Sequence, residues 1–169
     1  MKDHRIVIVG FMGCGKTTVA KVLARQLNCE MVDLDSFITE REGRSAAEII
    51  QQDGEGCFRE IETLALRDVL QKRDMRVIAL GGGTWTIPAN RTLIALNDVL
   101  CFWLDPSFEL CWQRITSSGS TLRPLAPDRD SAHRLYESRR ASYNLATVRI
   151  PVYDSDSAET LAEKILTQS

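Results

Sequence analysis

Residues 10–17 read Gly-Phe-Met-Gly-Cys-Gly-Lys-Thr, and the apolar run Arg5-Ile-Val-Ile-Val9 leads directly into them. A buried strand thus feeds a glycine-rich turn, and Thr17-Thr18-Val19-Ala20-Lys21-Val22-Leu23-Ala24 continues as a helix. In that setting the glycines let successive backbone N–H groups converge on phosphate oxygens, and the helix start adds its partial positive charge. Gly13, Cys14, Gly15, Lys16, Thr17 and Thr18 form the nucleotide-contacting stretch. Lys16 is placed to reach the outer phosphates, and Thr17 offers a hydroxyl to a magnesium ion. A strand-to-helix turn without a ligand is the alternative. With every motif position filled and both flanks fitting, the pattern implies a nucleoside triphosphate site.

The chain has 169 residues, enough for one domain with a substantial core. Its net charge of −2 gives no reason to expect a nucleic-acid or membrane partner. Met1-Lys2-Asp3-His4 runs straight into the first strand, with no signal segment and no apolar stretch of membrane-spanning length, so a cytoplasmic location is expected. Five dispersed cysteines, Cys14, Cys29, Cys57, Cys101 and Cys111, fit reduced thiols better than a disulfide framework. His4 and His133 lack metal-ligand spacing, which argues against zinc. No apolar stripe indicates an obligate dimer, so a monomer is expected.

Strand and helix signals alternate, as in a parallel sheet covered on both faces. Further strands are expected at 30–33, 75–80, 98–104 and 148–152, the last at an edge because Pro151 lacks an N–H. Between the second and third lies a long helical excursion, about 34–72. It contains the capping box Ser45-Ala-Ala-Glu48 and a break at Asp53-Gly54, with a helix from about Glu55 to Lys72. The polar stretch from Thr116 to Asp130, rich in Ser, Gly and Pro, has the length of a functional lid, about 116–131, or of a disordered tip.

A phosphate loop alone does not separate a kinase from a GTPase, but the guanine-reading Asn-Lys-x-Asp is absent. Asp33-Leu34-Asp35 ends the second strand, where α/β sheets hold their ligands, and two carboxylates two apart on extended chain point the same way. One suits magnesium through water and the other suits accepting a proton from a hydroxyl nucleophile. Asp35 as a helix N-cap before Ser36 is the competing account. Arg59 and Glu62 share a helix face, so the Glu can fix a guanidinium fork for bidentate contact with a substrate carboxylate. A surface ion pair would read the same way. Arg123 stands in the long loop, where closure would swing it onto the transferring phosphoryl group, or where it is simply solvated. Arg139-Arg140-Ala-Ser-Tyr143 follows on a helix, and a basic face in water accounts for it equally well.

Taken together these segments resemble the shikimate kinase family over nearly the whole chain. The family shows a phosphate loop, Asp-x-Asp after strand two, Gly-Glu-x-x-Phe-Arg-x-x-Glu, Gly-Gly-Gly after strand three, Arg-Pro-Leu in a lid, and Arg four residues before Tyr. Here these stand in order at Gly10 to Thr17, Asp33-Leu34-Asp35, Gly54 to Glu62, Gly81 to Gly83, Arg123-Pro124-Leu125, and Arg139 to Tyr143. The resemblance implies a P-loop NTPase fold of the nucleoside-monophosphate-kinase type: three α/β/α layers around a five-stranded parallel sheet. It also implies transfer of the γ-phosphoryl of ATP, with Mg2+, to the 3-hydroxyl of shikimate, a step of aromatic amino acid (chorismate) biosynthesis. On it, Arg59 and Arg139 clamp the substrate carboxylate, and Gly82 and Gly83 present backbone to the ring. Asp35 binds a ring hydroxyl and is the candidate base. Thr17 and Asp33 hold magnesium, Lys16 and Arg123 stabilise the phosphoryl group in flight, and Arg114 stacks on adenine. Ala126 departs from the Leu that often follows Arg-Pro-Leu, and Arg140-Ala141-Ser142 lacks a Pro often found before the Tyr. Trp85 reads as either a site-lining or a core residue. Gluconate or nucleoside-monophosphate kinases are the enzymatic alternatives, and a nucleotide-binding regulatory module is the non-enzymatic one.

Overall fold

In a computed structural model, which describes residues 4–117 and 125–169, the elements alternate as the periodicity requires. They run β1 (Arg5–Val9), α1 (Lys16–Gln26), β2 (Glu30–Asp33), α2 (Leu34–Glu42), α3 (Ala46–Gln71) and β3 (Met75–Ala79). A 3-10 turn (Thr84–Thr86), α4 (Pro88–Ala95), β4 (Val99–Pro106), α5 (Phe108–Ser117), α6 (Arg129–Tyr143), β5 (Val148–Val152) and α7 (Ala158–Leu166) complete the series. The strands form one sheet in the order β2-β3-β1-β4-β5, and every pairing is parallel. This is the five-stranded, helix-flanked sheet of P-loop NTPases.

Burial explains the strand sequences. Ile6 to Val9 of β1 are all sealed from water, as a central parallel strand covered on both faces must be. β5 lies at one edge, and its exposed Pro151 sits where a missing donor costs no ladder bond. The carboxyl ends of β1 and β3 are adjacent, with the Leu80 N–H donating to Ile8 O at 3.0 Å. The phosphate loop and the triple glycine therefore leave the sheet side by side. No helix among the described residues is long and apolar enough to cross a membrane.

The substrate-side excursion is built from α2 and α3. Ser45 caps α3 in a reciprocal box: the Glu48 N–H donates to Ser45 Oγ at 3.3 Å, and the Ser45 N–H donates to Glu48 Oε2 at 2.7 Å. The expected break at residues 53–54 is a kink at Gly54, which has φ 90° and ψ 160° inside an otherwise helical run. The region expected as a lid, about 116–131, is helical at both ends. Thr116 and Ser117 still belong to α5, and residues 129–131 already belong to α6, whose N-cap Asp128 accepts from the Ser131 N–H at 2.8 Å. Its central part, residues 118–124 with Arg123, lies outside the described residues.

A Cβ at Gly54 would touch nothing within 4 Å, yet its backbone conformation is one that only glycine tolerates. Gly54→Ala should therefore lower stability by about 1–3 kcal/mol through backbone strain alone. A urea unfolding midpoint equal to that of the parent chain would contradict this.

Candidate active site

The phosphate loop joins β1 to α1 through backbone geometry. Gly15, with φ 97°, is the N-cap of α1, and its carbonyl accepts from the Val19 N–H at 3.0 Å. The helices α2, α3, α6 and α7 each start with a side chain that caps a free N–H, whereas α1 has no side-chain cap and no acid in its first turn. Its orphan N–H groups are thus left for a ligand, and an anion is what they suit. Lys16 Nζ folds over the loop and donates to Gly10 O at 2.8 Å and Phe11 O at 3.0 Å. Arg114, on α5, reaches the same place: its Nη1 is 3.9 Å from where a Cβ on Gly15 would stand. Cys14 is fully buried within the loop, so its thiol is not presented to solvent, and only its backbone can serve a phosphate. Thr18 is exposed on the first turn of α1.

Asp33 and Asp35 do not share an extended segment. β2 stops at Asp33 and α2 starts at Leu34, so Asp35 lies in the first helical turn. The N-cap is Asp33, not Asp35: Asp33 Oδ1 accepts from the Ser36 N–H at 3.0 Å. Its Oδ2 accepts from Thr17 Oγ1 at 2.5 Å. A hydroxyl and a carboxylate brought together beside a phosphate loop are hard oxygen donors that fit Mg2+, an ion bound through one or two protein oxygens, phosphate and water. No cluster of three or more His, Cys, Asp or Glu suited to a metal occurs among the described residues, which leaves that sparse set as the fit. Helix geometry turns Asp35 away from its neighbour, toward the triple glycine.

Residues 81–83 are the meeting point. A Cβ on Gly81 would lie 2.6 Å from Asp35 Oδ1 and 3.0 Å from Glu62 Oε1. One on Gly82 would lie 3.1 Å from Arg139 Nη1, and one on Gly83 would collide with the Arg59 guanidinium. Three helices therefore bring Asp35, Arg59 and Arg139 against one stretch of bare backbone, an arrangement that a side chain there would disturb.

Arg59 is gripped on both sides. Its Nη1 donates to Glu62 Oε2 at 2.9 Å, and its Nη2 donates to Glu55 Oε1 at 3.0 Å. Burial works to lower the Arg59 pKa, but the ion pairs with Glu62 and Glu55 outweigh it and raise it. Glu62 is only 1% exposed, so this is not the surface pair that the sequence also allowed. Burial pushes the Glu62 carboxyl above its ordinary range, against the opposing pull of Arg59 and Thr84. The second oxygen of Glu62 accepts from Thr84 Oγ1 at 2.6 Å.

The two neighbouring arginines of α6 separate cleanly. Arg139 is buried beside Gly82, while Arg140 donates from Nη1 to Asp105 Oδ1 at 2.7 Å, where Arg149 also binds. Tyr143, one turn on, donates to Gly82 O at 2.6 Å, and burial raises its pKa. Trp85 is a core residue whose Nε1 donates to Ser142 O at 2.9 Å, tying the 3-10 turn to α6. Sequence reasoning missed Gly81, Glu55 and Thr84. Glu55 was available from its spacing four before Arg59, and Gly81 from the glycine run. For Thr84 no local signal exists, since its partner is 22 residues away.

A family model described as shikimate kinase matches residues 12–169. A shikimate kinase of Sulfurihydrogenibium sp. is 36% identical over 165 residues, covering 96% of each chain. The solved structure of shikimate kinase from Acinetobacter baumannii in complex with shikimate superposes with a TM-score of 0.86 and 31% identity, over 98% of this chain and 92% of that one. The structure of shikimate kinase from Bacteroides thetaiotaomicron gives a TM-score of 0.87 at 26% identity, over 98% and 97%. With its phosphate loop, its arginines at adjacent glycines and this likeness along its length, the chain belongs to the shikimate kinase family of phosphotransferases.

Proposed function

We propose that this chain transfers the γ-phosphoryl group of ATP, with Mg2+, to the 3-hydroxyl of shikimate, acting as a monomer in the cytoplasm. The observation that carries the assignment of roles is the convergence of Asp35, Arg59 and Arg139 on Gly81 to Gly83 beside the phosphate loop. An organic acid needs two guanidinium groups that can face one carboxylate, and an adjacent carboxylate that can face an alcohol. Arg59 and Arg139 supply the first, and Asp35 supplies the second. The substrate ring lies over the bare backbone of Gly82 and Gly83.

The triphosphate lies along Gly13 to Thr18, with its charge met by the loop amides, the α1 terminus and Lys16, which exchanges its contacts with Gly10 and Phe11 for phosphate oxygens. Arg114 flanks the base. Thr17 and Asp33 hold the magnesium ion, which when bound neutralises charge on the outer phosphates. As the bond from the shikimate oxygen to the γ-phosphorus forms, the bond from that phosphorus to the β,γ-bridging oxygen breaks and its electron pair leaves with ADP. Asp35 accepts the hydroxyl proton late in this transfer, because the alcohol becomes acidic only once the new bond has largely formed. Arg123, in the 118–124 segment, adds charge stabilisation on the moving phosphoryl group.

ADP release from ATP should be stimulated by shikimate and not by gluconate, AMP, UMP or CMP supplied separately; stimulation by one of those acceptors alone would reject the proposed substrate. Arg59→Ala should weaken shikimate binding by about 1.5–3 kcal/mol, the worth of a charge-assisted hydrogen bond, with turnover less affected. Unchanged shikimate affinity by calorimetry would remove Arg59 from the carboxylate. Arg123→Ala should depress kcat far more than it weakens shikimate binding, and equal losses in the two would refute a role confined to the transition state.

A further inference from the structure

We propose that the Thr84 hydroxyl is a positioning group for substrate binding: it holds the buried Glu62 carboxylate, and through it the Arg59 guanidinium, in the orientation that meets the substrate carboxylate. This deepens the reading above and rests on its placing Arg59 against the acid. Glu62 has two oxygens and each has one strong partner. Oε2 accepts from Arg59 Nη1 at 2.9 Å, and Oε1 accepts from Thr84 Oγ1 at 2.6 Å. Thr84 is completely buried and Glu62 nearly so, which leaves water little access to replace the hydroxyl. Thr84 is itself fixed in place. Its N–H donates to Gly81 O at 3.2 Å, and its carbonyl accepts from the buried Asn90 Nδ2 at 3.0 Å. A chain of contacts thus runs from α4 through Asn90, Thr84 and Glu62 to Arg59. The other anchor of Arg59, Glu55, is 48% exposed on its side chain, and a pair in that setting constrains a guanidinium weakly.

The same geometry makes the clamp sensitive to pH. The charged groups facing Glu62 are Arg59 on its own helix and Asp35 from α2 across Gly81. Arg139 from α6 stands at the neighbouring Gly82, and Glu55 stands behind Arg59. Burial raises the Glu62 pKa first, Arg59 and Thr84 lower it, and Asp35 raises it. Glu62 is therefore ionised above its raised pKa, and as pH falls through that value it takes a proton and releases its hold on Arg59. Without the Thr84 hydroxyl one of the lowering contacts is gone, so that release moves to higher pH. Protonation also removes a negative charge beside Arg59, which by itself would favour an incoming anion. Orientation outweighs this because the flexible arginine stem has many rotamers and only one presents its fork to the acid.

The test compares the parent chain with Thr84→Val and Thr84→Ser, measuring kcat and the KM values for shikimate and ATP from about pH 6 to 8.5. In Thr84→Val the shikimate KM should rise at every pH and most at the acid end, by about tenfold there, with kcat and the ATP KM within about twofold. Thr84→Ser should follow the parent profile. A shikimate KM unchanged at every pH, raised equally at every pH, or lowered at acid pH would overturn the proposal. Glu62→Gln gives an independent check if the valine variant folds poorly: its shikimate KM should be high and flat with pH, and a parent-like profile would also overturn it. Arg59→Ala separates the two ideas. If it weakens shikimate binding while Thr84→Val does not, only the positioning role falls; if Arg59→Ala has no effect, the reading of the acid site falls with it.

Discussion

Bringing an acid and a nucleotide together requires side chains from separate helices to reach one point without filling it. In this chain the requirement is met by the absence of Cβ atoms at residues 81–83. β3 ends at Ala79, one residue before this run, and is paired with a parallel strand on either side, so the bare backbone starts from a fixed point. Onto that fixed floor descend a carboxylate from α2, a guanidinium from α3 and another from α6. A single methyl at any of the three positions would press on a charged group, and the atoms nearest Gly81 are oxygens of Asp35, Glu62 and Thr84, the last two buried. The glycines thus act sterically, as the surface against which the site is assembled.

The two halves of the site use different chemistry. The phosphate half relies on main-chain N–H groups and a helix terminus left uncapped, features that cost no side-chain ordering. The acid half relies on long side chains, whose freedom has to be restrained by partners: Glu62 and Glu55 for Arg59, and the Gly82–Tyr143 neighbourhood for Arg139. Burying Glu62 carries a desolvation cost, and it is tolerable because both oxygens are satisfied and a positive charge is adjacent. The start of α2 links the halves. Asp33 caps the helix and holds Thr17, while Asp35, two residues later and turned by the helix, faces the acid side. One helix terminus therefore fixes the separation between Asp33 and Asp35, the two carboxylates proposed to hold metal and to accept the proton.

Much of this was legible from local pattern. Period and punctuation gave the five strands, the capping box at Ser45 and the break at Gly54, because each depends on residues within a turn of one another. The family resemblance, with its Arg four residues before Tyr143, selected Arg139 over Arg140, and the structure sets Arg139 beside Gly82 and Arg140 against Asp105. The misreading of Asp33 and Asp35 was also local in origin: strand and helix meet between them, and a shift of one residue in that boundary changes where both carboxylates point. What could not be read were partnerships made across the fold. Thr84 reaches Glu62 from the far side of β3, and Arg140 finds Asp105 at the end of β4, 35 residues earlier. No periodicity encodes such distances; they exist only once the sheet order is set.

The divergence of Arg139 and Arg140 shows why this order matters for function. Adjacent residues on a helix point about 100° apart, so α6 can serve two surfaces at once. Arg140 turns to the edge of the sheet, where Asp105 also binds Arg149 of β5, and both guanidinium groups lie within 5.2 Å of the Trp103 ring centroid. Tyr143 and the Trp85–Ser142 contact fasten the same helix to the turn after β3. The helix is consequently pinned from β4 and β5 on one side and from the triple glycine on the other. Arg139 sits between these anchorages, buried and aimed at Gly82 before any substrate arrives. If Arg139 meets the acid as proposed, less of the binding energy is then spent on ordering that side chain, which is the advantage of a preformed clamp over one assembled by its ligand.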